Sequence, residues 1–207
     1  MPEAGTRQIY AATLNDDGTR TALPGVDVIW SVAAGPIVGV SSAGLATAHA
    51  VYQDTPATVR GQWGDADETL ALTVLDTLPD NYGSYAADSI EDGWQIGYYG
   101  FDNPNAAPGY DPFGTGDNLF KYIAGLNPTD PESRLHLRIA RSTGTTALEV
   151  EPIVAGRIYA ILQSATLDAE QWSTLTPHET RDTGAVRTFI NATNAPSMFY
   201  RVRIQQQ

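Results

Sequence analysis

Along most of this chain apolar residues recur at every second position, the period of a strand with one buried face. Val26, Val28, Trp30 and Val32 alternate with Asp27, Ile29 and Ser31. Further short runs of this kind fall at residues 8–14, 37–40, 45–50, 57–63 and 70–75, separated by turn signals such as Asn15-Asp16-Asp17-Gly18. After residue 132 the alternation returns at 135–140, 147–154, 157–164, 186–192 and 199–205. Leu135, Leu137 and Ile139 face one way there, and His136 and Arg138 the other. Outward Arg and Glu on these runs are placed for cross-strand ion pairs.

Between the two β-rich stretches the period changes. Ile90, Trp94 and Tyr98 form a helical stripe within residues 88–100, with Asp88 at an N-cap position and Gly100 at a C-cap position. A second short helix is expected at 118–124, where Leu119, Tyr122 and Ile123 share a face and Gly125 ends it. Asn127-Pro128-Thr129-Asp130-Pro131 forbids continuation. The expected organisation is mainly β: a sandwich over residues 1–77, a helix-loop-helix connector over 78–132 and a second sandwich over 133–207. Trp30 is expected in the core of the first sandwich, on a central strand.

Composition narrows the chemistry. The 207 residues carry a formal charge of −12, which argues against nucleic acid and anionic membranes as partners, since both call for Lys and Arg. No Cys is present, which removes disulfides, thiolate catalysis and Cys-ligated zinc. No run approaches the length of a membrane-spanning helix, so no membrane insertion is expected. The charge is uneven: residues 76–132 hold 10 acidic side chains against a single base, Lys121, while residues 133–207 hold 6 acidic side chains against 8 Arg. That acidic stretch also holds 10 of the 19 aromatic residues, too many for a linker, so it is expected to fold around a small core containing Trp94, Tyr98, Phe120 and Tyr122.

Several motifs carry a resemblance. The V-x-W-S strand at Val28–Ser31, the S-x-A-G-L-A-T-A stretch from Ser41, the A-T-V strand at 57–59 and the closing L-x-L-T-V at 70–74 together resemble a bacterial immunoglobulin-like domain of the Big group. The segment with Asp88, Asp92, Trp94, Asp111, Gly114, Gly116, Asn118, Tyr122, Gly125 and Pro128 is similar to a connector near the C-terminus of large secreted proteins of Verrucomicrobia-like bacteria. The stretches "GRIYAILQSATLDAEQWSTL" and "MFYRVRIQ" look like the C-terminal sandwich, of fibronectin-III-like type, that follows that connector. These likenesses imply a spacer or adhesion module at the C-terminal end of a secreted or cell-surface protein, with any signal peptide lying upstream.

The commoner form of that connector is similar to calcium-binding repeats of the dockerin and thrombospondin type, which makes Ca2+ the one cofactor to weigh. The first candidate ligands here are Asp88, Asp92, Asp111 and Asp117. The ligand spacing is degenerate: Phe113 and Thr115 stand at alternating ligand positions, and Lys121 takes the place of the terminal Glu. The competing reading is that these carboxylates cap helices and turns. Tyr82, Tyr85 and Tyr110 fall in loops and are candidates for stacking on a surface polysaccharide.

No H-E-x-x-H, G-x-S-x-G or phosphate-loop motif occurs, and His49, His136 and His178 are isolated in sequence, so no catalysis is expected. Asn191-Ala192-Thr193 fits a glycosylation sequon. The functions to weigh are a structural or adhesion module, a carbohydrate- or polymer-binding module, and a filament subunit in which residues 199–205 or an N-terminal segment pair with the sheet edge of another copy.

Overall fold

A computed structural model describes residues 1–142, 144–176, 178–191 and 198–207. The chain divides into two compact units, Met1–Pro104 and Asn105–Gln207. The boundary falls inside the acidic, aromatic stretch. Ala192 and Thr193 of the sequon lie outside the described residues.

The first unit contains β1 (Thr6–Gln8), β2 (Ala11–Leu14), β3 (Arg20–Leu23), β4 (Ile29–Ala34), β5 (Ile37–Val40), β6 (Leu45–Ala48), β7 (Thr55–Trp63), β8 (Ala66–Val74) and the helix α1 (Asp92–Tyr99). Its strands form antiparallel sheets of order β1-β6-β5 and β4-β7-β8, with β2-β3 as a separate hairpin. The alternation read from sequence decides which side chains turn inward. Ala57 and Val59 of β7, Leu72 and Val74 of β8, Ala46 and Ala48 of β6 and Ile37 of β5 are buried in one cluster with Ile9 and Val51.

Three expectations change in this unit. The strand expected at 26–32 starts only at Ile29, because Gly25–Asp27 forms a 3-10 turn closed by Asp27 N–H to Pro24 O and Val28 N–H to Gly25 O. Val26 is consequently 69% exposed, whereas Val28 keeps its buried place. Trp30 packs against the core as expected, with Nε1 donating to Gly25 O at 3.0 Å, but its strand is an edge strand, not a central one. The run 8–14 is split, because the chain leaves β1 at Ile9, whose N–H donates to Gly44 O at 2.9 Å, and β2 then pairs with β3. That close approach demands a glycine: Gly44 has φ +83°, and a Cβ there would sit 2.6 Å from Ile9 O.

The second unit contains the helix α2 (Asn118–Ala124), β9 (His136–Ser142), β10 (Thr145–Glu151), β11 (Arg157–Ser164), β12 (Ser173–Thr174), β13 (Glu179–Thr183), β14 (Val186–Asn191) and β15 (Phe199–Gln206). Its antiparallel sheets run β13-β14-β10-β9 and β12-β11-β15. Leu148 and Val150 of β10, Tyr159 and Ile161 of β11, Phe189 of β14 and Leu175 make its core. The expected ion pairing across strands is present between Arg138 and Glu151 at 2.8 Å, with Glu151 opposite His136, and the β13–β14 hairpin adds a pair between Asp182 and Arg187 at 2.7 Å.

Leu148 is 0% exposed at the centre of that core. Leu148→Ala is expected to destabilise the protein by about 3 kcal/mol in urea denaturation. Leu167→Ala, at an exposed position, should fall within about 0.5 kcal/mol of the parent.

Candidate functional site

Three aspartates of the first unit, Asp80, Asp88 and Asp92, are gathered at the turn that leads into α1. The Asp80 carboxylate accepts the N–H groups of Asp88 (3.1 Å) and Ser89 (2.8 Å). Asp88 accepts from Ile90 N–H (3.0 Å) and the Gln95 amide (2.8 Å). Asp92 Oδ2 accepts from the N–H groups of Asn81 and Tyr82, both at 2.7 Å. This wrapping shortens the expected helix: Ala87 and Ser89 adopt φ of 65° and 78°, so helical geometry begins only at Asp92, with Glu91 rather than Asp88 at the N-cap. Gly100 caps the other end as expected, donating to Ile96 O.

The inner face of α1 is also unlike the expected apolar stripe. Asp92 and Gln95 are buried, Tyr98 is exposed, and Trp94 meets Tyr98 edge-on with centroids 5.0 Å apart. A polar turn packed on the helix calls for polar side chains facing it. Burial pushes the Asp92 carboxyl above its ordinary range, and Asp80 and Asp88 add to this, although two N–H donors oppose it. Nearby, Glu3 is buried and takes four donors: Val51 N–H (3.0 Å), Thr77 N–H (2.9 Å), Leu78 N–H (2.7 Å) and the Asn81 amide (2.9 Å). Burial alone would raise the Glu3 carboxyl, but these donors outweigh it and hold it below its usual range.

In the second unit Asp111 closes a loop on itself, accepting the N–H groups of Phe113 (3.3 Å), Thr115 (3.1 Å) and Gly116 (3.1 Å). Asp117 is the N-cap of α2, its carboxylate accepting from Phe120 N–H at 2.8 Å. Gly125 ends the helix in the left-handed region, as the sequence predicts.

Lys121, which stands where the calcium-loop pattern has its terminal Glu, is 1% exposed, and its ammonium donates to the carbonyls of Ser133 (3.0 Å), Asn127 (3.4 Å) and Asp130 (3.4 Å). Phe113 lies alongside, with the ammonium 5.9 Å from the ring centroid. Burial lowers the Lys121 pKa, and the carboxylates of Asp111 and Asp130 only partly offset this. A lysine thus supplies positive charge within a ring of oxygens, the arrangement in which a calcium loop would hold an ion.

Of the four carboxylates singled out in sequence, Asp88 and Asp92 belong to the first unit, and Asp111 and Asp117 to the second. Each accepts at least one backbone N–H. Among the described residues no group of three or more His, Cys, Asp or Glu is arranged to hold a metal ion.

The three loop tyrosines separate in a similar way. Tyr85 is 6% exposed; its hydroxyl donates to Gly100 O and accepts Asn103 N–H, both at 2.7 Å, so its ring offers no open face. Tyr110 is half-buried in the second unit, its carbonyl accepting Asn118 N–H. Tyr82 joins two residues the sequence did not single out: its ring lies 5.3 Å from that of Tyr52 and 6.5 Å from that of Phe101. These three rings, with His49 and Asp102, line an open groove of about 570 Å³. Tyr52 and Phe101 come together only through the fold, since 49 positions separate them.

No protein-family model, curated protein or solved structure matches the chain.

Lys121→Met removes the donor from three inward carbonyls and is expected to cost about 2–3 kcal/mol in urea denaturation. A second expectation concerns pH. Burial acts to raise the Asp111 carboxyl, but its backbone donors prevail and hold it below its ordinary value of 3.8. The folded state therefore binds this proton less tightly than the unfolded chain, and the stabilisation is present above about pH 4 and lost as pH falls through the lowered value. Amide exchange at Thr115 and Gly116 should accelerate over that acidic range beyond the intrinsic pH trend, and already at neutral pH in Asp111→Ala.

Proposed function

We propose that this chain is a non-enzymatic structural module, a spacer or attachment element belonging to a secreted or cell-surface protein. In this reading its two β-rich units are immunoglobulin-like and fibronectin-III-like sandwiches, and the acidic stretch joins them. The observation that carries the reading is how the polar side chains of residues 76–133 are used. Asp80, Asp88, Asp92, Asp111, Asp117, Asn118 and Lys121 are all committed to backbone groups of the same chain. Side chains anchored in this way hold a shape in long turns, which suits a module whose task is to keep its form between other parts of a protein.

A second reading rests on the groove of Tyr52, Tyr82 and Phe101. Aromatic faces beside polar groups such as His49 and Asp102 suit the alternating CH and hydroxyl faces of a surface polysaccharide. On this reading the module attaches through sugar.

Pelleting assays with insoluble polysaccharides, scored for both binding and released reducing sugar, test the two together. The structural reading expects neither binding nor release. Binding that is lost in Tyr82→Ala and Phe101→Ala would replace it with the carbohydrate reading. Sustained release of reducing sugar would overturn both.

A further inference from the structure

Three acceptor oxygens around one turn of the first unit have no donor. They are Asp76 Oδ1, Asn81 Oδ1 and Asp92 Oδ1, each closed off from solvent. Asp92 as a residue is 0% exposed. A buried oxygen without a partner is costly, and a carboxylate oxygen more so.

The surroundings link these groups. Asn81 bonds directly to Asp92 and is linked to Asp76 through Glu3: its N–H donates to Asp92 Oδ2, and its side-chain amide donates to Glu3, which the Asp76 carboxyl faces. The Asp76 carboxyl faces that of Glu3 within hydrogen-bonding reach, and feels the charges of Glu3, Asp92 and Asp54. Glu3 has nothing to give in return, because its own oxygens are already occupied by four donors. The local charge is negative throughout, with Asp54, Asp80 and Asp88 also close by. Residues 1–104 contain only Arg7, Arg20 and Arg60 as Lys or Arg. Among the described residues no ion pair reaches this turn.

We propose that this turn binds a divalent cation of the calcium type through the side-chain oxygens of Asp76, Asn81 and Asp92, with water completing the shell. The donor set is all oxygen, two carboxylates and one amide, which suits a hard cation and excludes the nitrogen and sulfur preference of zinc. Calcium accepts irregular, flexible sets of this kind, whereas magnesium demands a near-ideal octahedron. A single buried water has two hydrogens for three acceptors and leaves the negative charge in place. A proton shared by Asp76 and Glu3 leaves Asn81 and Asp92 as they are. The cation answers all three demands at once. Asp92 takes part here without Asp88, whose two oxygens are already engaged by Ile90 and Gln95.

The test uses the full chain, melted in chelator, in millimolar calcium and in magnesium. Calcium is expected to raise Tm by about 3–5 °C, with magnesium giving less. Asp76→Asn and Asp92→Asn should be at least as stable as the parent in chelator, since each removes uncompensated charge, yet bind calcium at least about tenfold more weakly. Asp111→Asn, in the other unit, should keep the parent's calcium response. In the wild type, calcium should shift the NMR signals of the Asn81 side-chain amide and the Tyr82 N–H, which locates the ion whether or not the variants fold. Three results overturn the proposal: no calcium response in the wild type; a response kept in both Asp76→Asn and Asp92→Asn; or stability that depends on acid but not on calcium.

Discussion

A turn exposes backbone N–H groups that no neighbouring strand can satisfy, and this protein answers that need with carboxylates. Asp80, Asp92, Asp111 and Glu3 each accept two or more backbone N–H groups, and Asp117 accepts one at the start of α2. Remove those acceptors and the regular structure left in the long segment between Val74 and His136 is two α-helices of eight and seven residues and two three-residue 3-10 turns. Helices that short are marginal alone. The acidity of the middle of the chain is therefore first a matter of backbone hydrogen bonding.

Concentrating carboxylates creates a second problem, which is charge. The two units meet it differently. In the second unit the chain supplies its own cation: Lys121 reaches into a ring of carbonyls with Asp111 and Asp130 nearby. In the first unit no basic side chain serves the turn around Asp76 and Asp92, and both carboxyls are pushed above their ordinary range. One acidic turn is internally balanced and the other carries an uncompensated demand. That contrast makes the first unit's turn the place to look for an external ion.

Much of the architecture is legible in the alternation of apolar residues. Strands with one inward face, such as β5, β10 and β11, stand where Ile37, Leu148 and Ile161 announce them. The unannounced strands are those without such a face: every residue of β13 is exposed, and β3 turns only Leu23 partly inward. Hydrophobic periodicity is silent about strands held by hydrogen bonds alone. Helix α2 and its caps could be read because Asp117 and Gly125 act locally. The start of α1 could not, because Ala87 and Ser89 are bent into left-handed geometry within a turn bonded to Asp80. Around the candidate sites, Asp92 and Tyr82 carried a local signal. Glu3, Tyr52 and Phe101 did not, since they join their neighbours only across long stretches of chain. The aromatic stretch read as one small core is instead shared between two units, and its innermost groups include Asp92, Gln95, Asn118 and Lys121.

Lys121 is the only lysine of the chain, and it is buried. Apart from histidine, the exposed basic side chains of this protein are therefore all guanidinium groups. Reagents that acylate primary amines meet no accessible side-chain target in the folded state, and the same holds for enzymes that attach groups to lysine. A modified Lys121 would therefore report that the second unit had opened.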